Sequence, residues 1–396
     1  MKRTRGPVIA ALALAALAPL ALVLAAEFRP DTTYRYLNVF QEVWSLTRAN
    51  YVEPVDEARL LRGAWEGMAR SLDAVSAWLP PGEEKVLSAP LGPAGPGLEL
   101  LPAGGVAVVV RVEPGGPAER EGIHEGDQVW RVNGRPARRL SWPQLRHLLH
   151  GEPGETREIV LLDASTYKLR HVKLSLALPA DPGYRLAVRG EGKLLHLRLG
   201  DLSRIDPVGL RAELAGAVAA HPGADLLIDL RGVVGARPSE VARLAGVLVP
   251  GGDLLVLVDA RGGETPLKAP VAAGDLPVAG KTWVLVDGST AGTGEALAAL
   301  LRRAGATLLG RKTFGLAGVP EVIPLRGEGS LLLATREMRL ADGTAWADEG
   351  LEPAHVVVVP PAATWKEGQD RFLDEAIRWI LEEGRKPAGT AARPAA

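Results

Sequence analysis

Cysteine is absent from the 396-residue sequence. That excludes disulfides, cysteine-ligated zinc, iron–sulfur clusters, a thiol nucleophile and a lipidated cysteine anchor. An excess of either charge is also lacking, since 46 basic side chains stand against 47 acidic ones and the formal net charge is -1. With no basic surplus to meet phosphate backbones, nucleic acid is not an expected partner. No period runs through the 46 glycines and 31 prolines; they are scattered and read as tight turns, not as a fibrous or low-complexity chain. What is present is 47% hydrophobic and 23% charged, the profile of a folded globular chain long enough for two or three domains.

The N-terminus carries Lys2, Arg3 and Arg5 ahead of an apolar, Ala/Leu-rich run from Pro7 to Ala26. A basic segment followed by such a run is an export signal, and this one is just long enough to span a bilayer. Two alternatives stay open, a signal cleaved near Val23-Leu24-Ala25 and a retained anchor in an inner membrane. Either places the body of the protein outside the cytoplasm, in the periplasm or cell envelope. No later segment is long and apolar enough to span, so membrane contact is expected through residues 1–26 only.

Four zones follow. Residues from about Thr33 to Val86 read as helical, with Phe40, Val43, Trp44 and Leu46, then Leu60, Leu61, Trp65, Met68 and Leu72, at helical spacing. Trp44 and Trp65 fit a helical core. From Leu98 to about Leu178 short strands alternate with turns and one amphipathic helix marked by Leu145, Leu148 and Leu149; Asn133-Gly134 supplies the two positive-φ residues of a type I′ hairpin. From about Tyr184 to Pro360, strands such as Leu194–Leu199, Asp225–Asp229 and Trp283–Val286 alternate with helices, the order of an α/β core. A terminal amphipathic helix is expected from Trp365 to Glu383. The domain boundaries read as 1–26 signal or anchor, 27–88 helical region, 89–180 strand-and-turn domain, 181–383 α/β core and 384–396 disordered tail.

Gly115-Gly116-Pro117-Ala118, Gly122-Ile123, Gly126-Asp127-Gln128-Val129 and Val132-Asn133-Gly134 occur in one order at tight spacing. This segment resembles a PDZ domain, a module that binds extended peptides and protein C-termini by adding a strand to an open sheet edge. The peptide groove implied by the resemblance runs along Gly95, Pro96, Gly97, Leu98, Glu99 and Leu100, opposite Leu145 and Leu149. The loop Gly95–Leu98 is the expected carboxylate cradle, although Pro96 removes one N–H donor from it.

The flanks extend the likeness. Val43-Trp44, Tyr51-Val52-Glu53-Pro54, Gly67-Met68-Ala69-Arg70-Ser71-Leu72-Asp73, Asp229-Leu230-Arg231-Gly232, Thr313-Phe314-Gly315, Ala341-Asp342-Gly343 and Glu349-Gly350-Leu351-Glu352-Pro353 are similar to carboxy-terminal processing proteases. The resemblance covers about residues 35–382 and implies a ClpP/crotonase-like α/β core with an inserted PDZ domain and an N-terminal helical region. It also implies serine endopeptidase chemistry by a Ser/Lys dyad without a cofactor or metal. Such a lysine acts as base only where an apolar site keeps it neutral.

The chain departs from that pattern at the dyad. Aligned without a gap from the preceding strand to Glu295, the nucleophile position is Gly292. The lysine position is Leu316, and the assisting glutamine position four residues on is Pro320. The family's Asn-Pro-Gly-Gly reads Val233-Val234-Gly235-Ala236 here. Glycine offers no attacking atom and leucine no proton acceptor, and loss of a serine nucleophile alone costs about 10⁶-fold in the subtilisin case. The expectation is a pseudoprotease that binds peptides or C-termini without cleaving them. Two alternatives are an active peptidase with a relocated nucleophile (Ser289, Thr290 or Thr293, with Lys312, Lys281 or Glu295 as base), and a structural subunit of an active homologue. Thr293 otherwise reads as the N-cap of the helix from Glu295 to Arg303. His147 and His150 have metal-compatible spacing but no third ligand, and Asp225 and Asp229 read as solvated strand ends.

Overall fold

The computed structural model describes residues 32–103, 105–235, 237–249, 253–268, 280–359 and 370–384. The expected export segment and the tail beyond Gly384 lie outside these. The chain divides into two compact units, one ending at Ala64 and one beginning at Trp65.

In the first unit, α1 (Thr32–Asn50) is followed by the opening turns of α2 (Glu57–Arg70). Arg48 and Glu57 form an exposed ion pair at 2.8 Å. Of the residues at helical spacing here, Phe40, Val43 and Leu46 are exposed and Trp44 is half-buried.

The second unit continues with β1 (Ala77–Leu79) and α3 (Glu83–Ser88), then a six-stranded sheet built from β2 (Leu98–Ala103), β3 (Val106–Val112), β4 (Gln128–Val132), β5 (Arg135–Pro136), β6 (Thr156–Leu162) and β7 (Leu169–Ser175). The strand order is β2-β3-β4-β6-β7, with β5 paired to β4. Asn133 (φ 47) and Gly134 (φ 75) make the tight turn between β4 and β5, as their sequence predicts. Helix α4 (Pro117–Arg120) follows β3, and α5 (Trp142–Leu149) lies over the sheet. The α5 start is fixed by Gln144, whose carboxamide oxygen accepts from the Ser141 N–H at 2.9 Å. Leu145 and Leu149 join Leu98, Leu100, Val109 and Ile159 in one buried cluster.

The core comprises β8 (Tyr184–Arg189), β9 (Leu194–Leu199), α6 (Pro207–Ala220), β10 (Asp225–Asp229), β11 (Val234–Gly235), α7 (Pro238–Leu248), β12 (Asp253–Asp259), β13 (Glu264–Lys268), β14 (Thr282–Val286), β15 (Ala291–Gly292), α8 (Thr293–Arg303), β16 (Thr307–Gly310), β17 (Gly318–Pro324), β18 (Ser330–Leu340), β19 (His355–Val356) and α9 (Arg371–Trp379). Strands β19-β16-β14-β10-β9 run parallel, with β8 antiparallel at the edge. Both faces are covered, which is why these strands read as unbroken apolar runs. Leu226, Ile228, Val284 and Val286 face α6, α7 and α8. Leu227, Trp283 and Leu285 face Leu373 and Ala376 of α9.

Three readings are corrected. Residues 33–86 are not helical throughout: Ala77–Leu79 form β1, in antiparallel register with Ser330–Leu332 of β18. Of the expected terminal helix, the described part is α9 from Arg371, where Asp370 accepts from the Leu373 N–H at 3.0 Å, and residues 365–369 lie outside the described residues. Helix α8 begins at Thr293, so Gly292 is its N-cap and Thr293 is not. Asp225 and Asp229 are buried at 4% and 0% exposure, not solvated. Asp225 accepts from the Lys281 N–H (3.0 Å) and the Trp283 indole (3.3 Å). Burial alone would raise the Asp229 carboxyl, but the charge and hydrogen bonds of Arg231 outweigh it and hold it well below the carboxylate range. Arg231 also reaches Asp370 at 2.7 Å, tying β10 to α9.

Candidate functional site

After β14 the chain turns through Asp287–Thr290 and enters β15 and α8, a strand-to-helix turn at the C-terminal end of a parallel sheet. Such a turn presents a nucleophile in α/β-hydrolases. Its apex is Gly292, at φ 60 and ψ -112, a strained conformation that glycine alone adopts readily. Val234-Gly235 of β11 pairs alongside, Gly235 opposite Gly292. A β-carbon on Gly292 would lie 1.8 Å from the Gly235 carbonyl oxygen. The space a nucleophile would need is therefore filled by backbone. An oxyanion there would face a carbonyl oxygen, where acyl-transfer catalysis needs N–H donors. The Gly292 N–H is itself committed, donating to Glu295 at 3.0 Å.

The candidate substitute hydroxyls have structural work. The Ser289 hydroxyl donates to Asp287 and accepts from the Gly232 N–H (2.8 Å). That of Thr290 donates to the Leu230 carbonyl at 3.0 Å. Thr293 is buried, with Oγ1 pressed against Gly235: a β-carbon there would come within 2.1 Å of it. Lys312 is at the surface, 3.1 Å from Glu352. Lys281 donates to the Gly384 carbonyl at 2.6 Å. No pair of these forms a nucleophile and base.

Leu316 is buried in an apolar cluster with Val75, Leu101, Trp142 and Ala291. Leu101 comes from β2 and Trp142 from α5, so the strand-and-turn domain is glued to the core across the very position of the expected base. Beside this seam lies a cavity of about 470 Å³ bordered by Pro102, Arg138, Phe314, Leu316 and Asp348. Pro320 sits in β17, opposite Ala334 of β18 at a break in register.

The group holding this region together is Glu295, which is fully buried. Its carboxylate accepts from the N–H groups of Gly292 (3.0 Å), Gly315 (2.6 Å) and Leu316 (2.7 Å) and from the Thr313 hydroxyl (2.5 Å). Thr313 Oγ1 in turn accepts from the Leu351 N–H at 2.7 Å. Desolvation nonetheless pushes the Glu295 carboxyl up to about 7, the four donors only partly opposing it. The folded state thus holds a proton that the unfolded chain has released above about 4.5. Stability from this group is full below pH 4.5 and is lost as pH rises through 7. The expected loss is at most about 3 kcal/mol, and chemical denaturation from pH 4.5 to 8 should show this slope flattened in Glu295→Gln.

In the peptide-groove candidates, β2 is an edge strand, paired among the described residues with β3 alone. Leu98, Leu100, Leu145 and Leu149 come together as expected, but all four are buried at 6% exposure or less. These side chains form the floor between β2 and α5, and a cavity opens at the Gly95–Glu99 end of β2. Glu99, also buried, accepts from the Trp142 indole at 3.1 Å. Around it Arg146 reaches Asp201 (3.3 Å) and Arg204 reaches Glu113 (2.7 Å), charged links from this domain to the core. No local pattern marks this network, whose members lie up to 91 residues apart. Among the described residues no cluster of His, Asp or Glu could hold a metal, and His147 and His150 do not form one.

An edge-strand sheet domain fused to a peptidase-type α/β core, with a strand-to-helix turn at its heart, defines a PDZ-bearing serine-peptidase fold. Comparisons agree. Residues 212–357 match peptidase family S41 and residues 108–163 match the PDZ domain. A carboxy-terminal-processing protease of Bartonella bacilliformis is 25% identical over 371 residues, 91% of this chain and 85% of that protein. A probable periplasmic serine endoprotease DegP-like of Ectopseudomonas mendocina is 32% identical over 149 residues, 35% of this chain and 29% of that one. The solved photosystem II D1 C-terminal processing protease superposes with a TM-score of 0.59 at 23% identity, covering 81% of this chain and 93% of that one. The α/β core thus matches peptidase family S41, the preceding sheet domain matches a PDZ domain, and the chain as a whole is similar to carboxy-terminal-processing proteases.

Proposed function

We propose that this protein is an exported pseudoprotease of its family, which binds protein C-termini or extended peptides through the PDZ domain and does not cleave them. One observation carries the reading: the Gly235 carbonyl oxygen occupies the space into which a side chain at Gly292 would project, 1.8 Å from its β-carbon. The apolar setting of Leu316 supports it, because no proton acceptor replaces the base. Export rests on the basic and apolar N-terminal segment and on the periplasmic placement in the name of one relative. Among the described residues no helix is long and apolar enough to cross a membrane.

The test is turnover of an unfolded, C-terminally tagged substrate by purified protein. The expected result is no cleavage above a buffer blank, unchanged in Ser289→Ala and Thr293→Ala. Cleavage that disappears in either variant would establish a relocated nucleophile and refute the proposal. Binding is read separately, by titration with fluorescent C-terminal peptides, and should saturate.

A further inference from the structure

The loop expected to cradle a peptide carboxylate is short of donors. The Gly95 N–H is committed to the Ala177 carbonyl at 3.0 Å, and Pro96 has none. The carbonyls of Pro96 and Gly97 are turned to the Ala118 and Glu113 N–H groups. Yet the loop borders a cavity of about 380 Å³ whose wall includes Arg146, His150, Asp201 and Arg237. The His150 ring lies directly on the loop, since a β-carbon on Gly95 would be 3.0 Å from Nε2. Its Nδ1 is 2.7 Å from the Arg146 carbonyl oxygen, which only accepts. Nδ1 therefore carries a hydrogen, and Nε2 is the nitrogen that faces the loop.

We propose that His150 Nε2 is the carboxylate-binding group of this PDZ domain, donating to a peptide's terminal carboxylate in place of the donors that Gly95 and Pro96 withhold. The inference rests on the peptide-binding reading above. A neutral imidazole with Nδ1 protonated has no hydrogen on Nε2, so it binds a carboxylate only by taking up a proton. The charged groups around it are mixed: Arg146 and His147 on its own helix, Glu113 after β3, and Asp201 from the core. Arg157 of β6 donates to the His150 carbonyl at 2.7 Å. Burial first, and the charge of Arg146 with it, lower the imidazole's pKa in the unliganded protein, outweighing the Arg146 carbonyl and the charges of Asp201 and Glu113. An incoming carboxylate reverses that balance by supplying the missing negative partner. Binding of a free C-terminus is thereby tied to proton uptake and strengthens as pH falls.

The experiment uses the protein and its His150→Gln variant. Each is titrated by fluorescence anisotropy with a library of C-terminal heptapeptides, as free acids and as C-terminal amides, at pH 5.5 and 7.5. Free acids are expected to bind about tenfold tighter at pH 5.5, the effect of one charge-assisted hydrogen bond. The amides, and His150→Gln with either form, should show no such gain. Equal thermal unfolding of the two proteins shows that the variant is folded. PH-dependent preference for free acids that survives in His150→Gln overturns the assignment of His150 while leaving peptide binding intact. Equal binding of acids and amides at both pH values overturns carboxylate recognition. No saturable binding of any peptide overturns the peptide-binding reading itself, and this inference with it.

Discussion

Restoring both members of the dyad, Gly292→Ser with Leu316→Lys, is expected to yield no peptidase activity and a markedly less stable protein. The serine must adopt φ near 60, in the region that disfavours side chains. It must also displace the Gly235 carbonyl oxygen, 1.8 Å from the new β-carbon. Backbone strain and overpacking together cost about 3–5 kcal/mol. The lysine replaces a side chain that is 4% exposed among Val75, Leu101, Trp142 and Ala291. Desolvation there lowers its pKa by up to about 3–5 units. In the single variant Leu316→Lys, the unfolded chain binds the proton that the folded protein refuses, so stability should rise with pH from the depressed value to about 10.4. Activity still fails in the double variant, because an oxyanion at Gly292 meets the Gly235 carbonyl. Differential scanning calorimetry and a tagged-substrate assay check both parts. Efficient cleavage by the double variant would mean that only two side chains, not the arrangement of β11, separate this protein from an active enzyme.

The second large effect is expected from Glu295→Ala. Four donors lose their acceptor together: three backbone N–H groups and the Thr313 hydroxyl. A buried donor left unpaired costs about 1–3 kcal/mol, so even the low end gives about 4 kcal/mol. Loss should concentrate in Thr313–Leu316, measurable as faster amide hydrogen exchange at Gly315 and Leu316. Wild-type exchange rates there would contradict the role assigned to Glu295.

Much of the architecture could be read ahead because its signals are local. The Asn133-Gly134 turn, the edge of α5 and the apolar runs of β10 and β14 each follow from neighbouring residues. The antiparallel partners could not be read in this way. Ala77–Leu79 is too short to show a period, and its pairing with Ser330–Leu332 lies some 250 residues away. Asp225 and Asp229 looked like solvated ends because their satisfying groups, Trp283 and Arg231, count only once the sheet is assembled. That Gly292 and Leu316 stand where the family resemblance would put a dyad was legible in the sequence. That Gly235 turns a carbonyl into the vacant space was not, since peptide orientation leaves no mark on residue types. Glu295 did carry a signal, an acid three residues after a helix N-cap. Its further ties to Thr313, Gly315 and Leu316 depend on the fold.

The apolar seam through Leu316 also limits what substitution can achieve. A lysine arising there would weaken the cohesion between two domains, and neither it nor a side chain at Gly292 would bring chemistry while the Gly235 carbonyl stays in place. Each such substitution alone costs packing, so the seam and the β11 carbonyl together oppose any stepwise construction of a dyad at this turn.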